Sequence, residues 1–248
     1  MTNKNKKKIS PIVIIPARLE SSRLKKKLLR TLNGKPIIVR TSKLAENLKI
    51  GNVIVGTDSK EILNICRKNK IESVLTKKTH LSGTDRVYEV YQSIKKSYDV
   101  IINLQGDLPV FGKRVFSQLI ELFNDTSVEI GSAVCDLSGN ELDDKNVVKA
   151  VVKLNEEENG YALDFRRDSG LKKNVYHHIG IYAFRPEALK KFVQLPQSNN
   201  EKNRSLEQMR ALDHKMKIKL TKVSNALPSI DTIEDLRKIR LHFKKNKL

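Results

Sequence analysis

Hydrophobic positions fall first into short unbroken runs, each followed by an amphipathic stretch. Ile12 to Ile15 is apolar and β-branched throughout and is closed by Pro16, which predicts a strand buried on both faces. Pro36 then opens a helical pattern through Ile37, Ile38, Leu44 and Leu48, Pro being acceptable at the first helical position. Asn52 to Gly56 reads as a second strand, and Asp58 with Glu61 as a capping-box-like start to a helix through Ile62, Ile65 and Cys66. A short strand over Ser73 to Leu75, a helix from Gly83 to Lys96 and a strand from Val100 to Leu104 complete the first half. Strand and helix alternating at this spacing predict a mostly parallel sheet with helices on both faces. In such sheets ligands bind in the loops at the carboxyl ends of the strands.

The second half changes rhythm. Val147 to Leu154, Tyr161 to Phe165 and His178 to Phe184 read as strands, with a turn at Asn159-Gly160, so an antiparallel β insertion is expected over about residues 147 to 185. Helices over Pro186 to Gln194 and Ser205 to His214, a strand over Ile218 to Val223 and a last helix from Thr232 follow. With neither an internal repeat nor a low-complexity linker, residues 1 to 248 read as one α/β domain. Its Lys-rich ends, residues 1 to 8 among them, are expected to be mobile.

Composition narrows the function classes. A chain of 248 residues with 39% hydrophobic and 31% charged residues buries a core and is not disordered as a whole. No apolar run approaches a bilayer span, and Ile9 to Ile15, interrupted by Ser10 and Pro11, is no signal-peptide core, so neither a membrane partner nor export is expected. Two cysteines, Cys66 and Cys135, supply neither a disulfide framework nor metal-ligand spacing, which predicts a reducing cytoplasm. The net charge of +20 would suit a polyanion. The lysines are dispersed, however, and aromatics make up only 5% with no Trp, so stacking platforms for nucleic acid are poorly supplied. No specific nucleic-acid partner is expected; the charge suits phosphorylated substrates.

Three loops carry candidate chemistry. The first, Pro16 to Lys27, follows the first strand with Arg18, Arg23, Ser21, Ser22 and Lys25 to Lys27, donors for phosphate oxygens without a Gly-rich cradle. Taken alone it is also simply a solvated basic loop. The second, Asn103 to Pro109, sets Asp107 beside Gly106 at the end of a buried strand, where a carboxylate can hold Mg²⁺ next to a nucleotide or merely form a turn before Pro109. In the third, Asp231 and Glu234 form an evident capping box for the last helix, and Asp231 can serve a metal only through its second oxygen. Cations for a triphosphate together with two carboxylates for magnesium suit nucleotidyl transfer.

Seven blocks occur in order: Ile14-Ile15-Pro16-Ala17-Arg18 through Ser22-Arg23-Leu24 and Lys27; Leu32-Asn33-Gly34-Lys35-Pro36-Ile37; Ser82-Gly83-Thr84-Asp85-Arg86; Gln105-Gly106-Asp107; His178-Ile179-Gly180-Ile181-Tyr182; Leu206-Glu207-Gln208; and Asp231-Thr232. From about Ile12 to Arg240 the chain resembles the 3-deoxy-manno-octulosonate (Kdo) cytidylyltransferases, the CMP-Kdo synthetases of bacterial lipopolysaccharide synthesis. The resemblance implies a nucleotidyltransferase-type, Rossmann-like mixed sheet, a homodimer, and Mg²⁺-dependent joining of CTP and Kdo into CMP-Kdo and pyrophosphate. It implies that Ala17, Arg18, Arg23 and Lys27 bind the nucleotide with Ser82, Gly83, Gln105 and Gly106, that Lys27, Arg18 and Asp107 are catalytic, and that Asp107 and Asp231 hold the metal. Gln105, Arg167, His178, Tyr182, Glu207 and Gln208 would face the sugar acid, with the β-rich region serving dimerisation as well.

The chain departs from the family pattern at three places. Lys25-Lys26 stands where the family has a Pro-Gly turn before its Lys, Leu108 replaces a Glu, and only the eight residues from Asp168 to Val175 join Arg167 to Tyr176. Other readings are a cytidylyltransferase for a different 2-keto sugar acid such as an amino-substituted Kdo, another sugar nucleotidyltransferase, a paralogue that binds nucleotide without turnover, and a basic nucleic-acid-binding protein.

Overall fold

Ile12, Val13, Ile14 and Ile15 have no solvent exposure, as a strand covered on both faces requires. The computed structural model describes residues 8 to 168, 170 and 173 to 245. Seven of the eight residues of the expected N-terminal tail, and Ser169, Leu171 and Lys172 in the short link after Arg167, lie outside them. In chain order the elements are β1 (Pro11–Ala17), β2 (Thr31–Leu32), β3 (Lys35–Pro36), α1 (Ile37–Asn47), β4 (Asn52–Thr57), α2 (Lys60–Lys68), β5 (Ser73–Leu75), α3 (Gly83–Gln92), β6 (Val100–Asn103), α4 (Lys113–Glu121), β7 (Ile130–Cys135), β8 (Lys149–Val152), β9 (Asn159–Arg166), β10 (Val175–Phe184), α5 (Pro186–Gln194), α6 (Asn199–Arg204), α7 (Met209–Asp213), β11 (Ile218–Lys222) and α8 (Ile233–Lys245). Together they make a mixed α/β fold, and the chain divides into two compact units. Among the described residues no helix is long and apolar enough to cross a membrane.

The unit formed by residues 12 to 97, 103 to 113 and 227 onward contains the parallel strands in the order β5-β4-β1, with α1, α2 and α3 packed on β4. Pro36 sits one residue outside α1, at its N-cap (φ −55°, ψ 146°). The cap of α2 is Ser59, whose hydroxyl accepts from the Glu61 and Ile62 amides, and not Asp58 as the sequence pattern suggested. Asp58 is spent elsewhere: its carboxylate pairs with the buried Arg86 guanidinium at 2.8 Å and accepts from the Leu19 amide at 3.3 Å. A long-range ion pair to a buried guanidinium outcompetes a local cap that the next residue supplies equally well.

In the other unit, built mainly from residues 98 to 102 and 114 to 226, β10 runs antiparallel to β7 along His177 to Phe184 and antiparallel to β8 along Val175 to His177. β11 lies parallel to β7 and antiparallel to β9, and β9 pairs with β8, so these five strands close on themselves. This is the expected antiparallel insertion. The Asn159-Gly160 pair opens β9 and does not form the turn, which comes one step earlier at Glu158 with φ 57°. The helix expected over Ser205 to His214 is broken: Ser205 adopts the left-handed conformation (φ 53°), Leu206 to Gln208 form a turn, and α7 starts at Met209. Glu201 and Arg210 make the break, because their bidentate ion pair (2.6 and 2.9 Å), 6% and 3% exposed, folds α7 back on α6. Replacing Glu201 by Ala takes the bidentate carboxylate away from the buried Arg210 guanidinium, a change that costs about 3 to 5 kcal/mol. We expect a Tm lower by roughly 10 °C in a thermal melt.

Candidate active site

The first loop leaves β1 after the buried Ala17. Three successive lysines follow in the loop, and the backbone distinguishes them. Lys26 takes the left-handed conformation (φ 52°, ψ 39°) that a glycine adopts freely, and its ammonium reaches outward to Glu61 at 2.8 Å. The turn shape therefore survives without the Pro-Gly pair. Lys27, next in sequence and opening a short 3₁₀ turn, is directed inward, its side chain 14% exposed. Its ammonium donates to Asp107 Oδ2 and, at 3.0 Å, to Asp231 Oδ1. Arg23 donates to the same Asp231 oxygen at 2.8 Å. Burial pushes the Lys27 pKa down, but the two carboxylates outweigh it and hold it above its ordinary value.

Local packing sets both carboxylates. Gly106, just before Asp107, lies against Ile38, Leu28 and Ile15, where a Cβ would approach methyl carbons at 3.2 to 3.4 Å. The buried Thr41 hydroxyl of α1 meets the Gly106 carbonyl at 2.9 Å and the Leu108 carbonyl at 3.3 Å, contacts to the residues before and after Asp107. The Ile230 amide donates to the Asp107 carbonyl at 3.1 Å, which brings Asp231 alongside. Leu108 itself is buried, so this position faces the core where the family has a carboxylate.

The capping box of α8 is not the expected pair. Asp235 Oδ2 accepts from the Asp231 and Thr232 amides and the Thr232 hydroxyl, while Thr232 Oγ1 accepts from the Asp235 amide. Shifting the box by one residue leaves the Asp231 carboxylate entirely to Lys27 and Arg23. The resulting cleft, about 240 Å³, is lined by Arg18, Ser21, Ser22, Arg23, Lys27, Gln105 and Asp107 among others. Ser82 caps α3 through a reciprocal box with Asp85, and Gly83 lies against Pro16, where its missing Cβ would stand 3.4 Å from the ring. Gln105 donates to Asn103 at 3.1 Å. Among the described residues no group of three or more His, Cys, Asp or Glu side chains gathers as a metal cage.

The remaining predicted residues belong to the other unit. His178 and Tyr182, both on β10, have ring centroids 5.4 Å apart. Glu207 is near enough to Tyr182 that, after burial, its charge is the second cause raising the phenol pKa well above the ordinary value. Gln208 is buried in the turn before α7. Arg167 stands apart in its bonding: its guanidinium donates to the Lys145 and Asn146 carbonyls at 3.1 Å each. Arg204 is bonded to Asp164 at 2.5 Å and to the Phe165 carbonyl at 2.9 Å. Arg204 and the Asp58–Arg86 pair escaped sequence reasoning, because no local pattern marks a bond across 28 or 40 residues.

The cytidylyltransferase family matches residues 12 to 218. A 3-deoxy-manno-octulosonate cytidylyltransferase of Bartonella bacilliformis is 36% identical over 237 residues, covering 94% of this chain and 98% of that protein. Its counterpart in Elusimicrobium minutum is 37% identical, covering 95% and 98%. The solved structure of a CMP:2-keto-3-deoxy-manno-octonic acid synthetase complexed with CTP is similar with a TM-score of 0.86 at 31% identity, over 96% of this chain and 99% of that one. A 4-diphosphocytidyl-2C-methyl-D-erythritol synthase from Anaerococcus prevotii shares the fold alone, with a TM-score of 0.63 at 13% identity. The chain belongs to the cytidylyltransferase family of nucleotidyl-transferring enzymes.

Proposed function

We propose that this enzyme activates Kdo with CTP, giving CMP-Kdo and pyrophosphate for lipopolysaccharide synthesis. The observation that carries the reading is the Lys27 ammonium lodged between Asp107 and Asp231 at the foot of an Arg- and Ser-rich loop. Two carboxylates that share one cation fit a divalent metal, since Mg²⁺ takes one or two carboxylates and fills its other positions with water and phosphate oxygens. Asp107 and Asp231 would hold the Mg²⁺, which would supply charge neutralisation to the triphosphate. Arg18 and Arg23 bind phosphate oxygens, and Lys27 stabilises the charge that builds as pyrophosphate departs. Ala17, Ser82, Gly83, Gln105 and Gly106 hold the nucleotide. The anomeric hydroxyl of the sugar acid attacks the α-phosphorus, forming one P–O bond as the α–β bridging P–O bond breaks.

Gln105, Arg167, His178, Tyr182, Glu207 and Gln208 bind the sugar acid in this reading, with the Arg167 guanidinium anchored by the Lys145 and Asn146 carbonyls. A homodimer joined through the β-rich region is part of it, supported by Tyr161 and Leu163, two positions apart on β9 and 38% and 67% exposed. So is a cytoplasmic setting, consistent with the free, buried thiols of Cys66 and Cys135.

Pyrophosphate release from each of the four nucleoside triphosphates with Kdo and Mg²⁺ tests the reading. CTP with Kdo should give the one strong signal. Equal rates with UTP would point to a broader sugar nucleotidyltransferase, a faster rate with an amino-substituted Kdo to that acid, and no turnover to a paralogue that only binds. Division of labour gives a second expectation: Arg23→Ala should raise KM for CTP about tenfold and leave that for the sugar acid within twofold, and Glu207→Ala should do the reverse. Equal damage to both ligands in Glu207→Ala would make the turn before α7 structural.

A further inference from the structure

Ser132, in the middle of β7, belongs to no motif, yet its fully buried hydroxyl meets three partners. Oγ lies 3.0 Å from His178 Nε2, 3.2 Å from the Ile179 carbonyl and 2.9 Å from the Ile181 carbonyl. A serine hydroxyl has a single proton to give. Were Nε2 the bare nitrogen, that proton would go to the ring, and both carbonyl oxygens would face the Oγ lone pairs with nothing between them. With the proton on Nε2, the ring donates to Oγ and Oγ donates onward to Ile181, so the donor count selects the Nε2–H tautomer.

The same contacts close a β-bulge. The register of β10 on β7 runs His178 to Val134 and Ile179 to Ala133, then passes over Gly180 and Ile181 to pair Tyr182 with Ser132. On a regular strand, residues four apart are separated by about 13 Å. Here His178 and Tyr182 oppose positions only two apart on β7, and their rings stand 5.4 Å from each other. Phe165 meets the imidazole in an edge-on arrangement, at 4.9 Å.

We propose that Ser132 is a positioning residue for the sugar acid: it sets His178 as the Nε2–H tautomer and holds the bulge that brings His178 beside Tyr182. This rests on the sugar-acid reading above. The pair then offers a polyhydroxylated acid one acceptor, His178 Nδ1, and one donor, the Tyr182 phenol, whose buried oxygen has no hydrogen-bond partner among the described residues. Burial, with His177 as the lesser cause, pushes the His178 pKa down to about 3, so the ring is neutral and Nδ1 stays an acceptor. The raised pKa of Tyr182 keeps its proton in place. Neighbouring hydroxyls on a sugar present the matching donor and acceptor.

Long-range ¹H–¹⁵N correlation spectra of the ¹⁵N-histidine-labelled full chain, with the His178 signal assigned by its loss in His178→Gln, report which ring nitrogen is protonated. We expect Nε2–H in the wild type, a mixture of tautomers in Ser132→Ala, and the wild-type pattern in Ser132→Thr, which keeps the hydroxyl. In parallel, Ser132→Ala should raise KM for Kdo about tenfold with KM for CTP within twofold, and Ser132→Thr should recover most of the loss. A wild-type imidazole protonated on Nδ1 overturns the proposal, as does a Ser132→Ala variant with unchanged tautomer and KM. An Nε2–H wild type combined with an unchanged Kdo KM in His178→Gln overturns instead the sugar-acid reading beneath it.

Discussion

Lys27→Ala lowers kcat by about 10²- to 10³-fold, the loss typical of removing one preorganised donor from a developing charge, while KM for the sugar acid moves much less. Only Lys27 of the three successive lysines meets Asp107 and Asp231; Lys26 is bound to Glu61 and Lys25 is exposed. Alanine at Lys25 or Lys26 should therefore leave the rate within about twofold, an exposed ion pair such as Lys26–Glu61 contributing at most about 1 kcal/mol. Steady-state kinetics on the three variants decides the matter, and a crippled Lys26→Ala would show that the loop turns over in the working enzyme. The pH dependence follows with a definite sign. Because the folded-state pKa of Lys27 is raised above 10.5, its charge and its contribution to stability are fully present below that pH and are lost only as pH rises through the folded value. An alkaline limb of kcat between pH 8 and about 9.5 would arise from another group.

Asp107→Asn and Asp231→Asn each remove about 10²-fold or more of magnesium-dependent turnover and raise the Mg²⁺ concentration for half-maximal rate, since each takes a negative charge from a site meant for a divalent cation. Both should fold. The backbone at Asp107 is fixed by the Thr41 hydroxyl and the Ile230 amide, neither of which touches its carboxylate. Asp231 does not cap α8, so its replacement costs no helix end, whereas Thr232→Ala, which removes the true cap, should cost about 1 kcal/mol and leave the magnesium dependence alone. Initial rates across a magnesium titration, with thermal melts of the three variants, separate the two effects. A wild-type magnesium response in Asp107→Asn would remove it from the metal site.

The residues of the nucleotide loop were legible because each lies at a strand end that the local hydrophobic pattern announces: Ile12 to Ile15 before Arg18, and Val100 to Asn103 before Asp107. The helix over Pro186 to Gln194 was legible for a similar reason, a Pro start and a periodic apolar face. Caps were read less well. At Asp58 and at Asp231 the sequence offers two adjacent candidates within one residue of each other, and local rules rank them equally. Partners distant in the chain break the tie: Arg86 claims Asp58, and Lys27 and Arg23 claim Asp231. Likewise the helical period from Ser205 to His214 yields to the Glu201–Arg210 pair, because a buried ion pair outweighs the helix propensity of a few residues.

What the sequence by itself determined is most of the strands and helices, though not α4, β7 or the break before α7, the strand-end loops where chemistry belongs, and, through seven ordered blocks, the family; all of these depend on neighbours a few residues apart. What only the tertiary structure decided is which side chains spend their charge on one another. Which lysine of three is directed inward, the freeing of Asp231 from its helix, and the serine that sets the imidazole of His178 depend on hydrogen bonds spanning 46 to 208 residues, on a left-handed residue and on a bulge, none of which leaves a period in the chain.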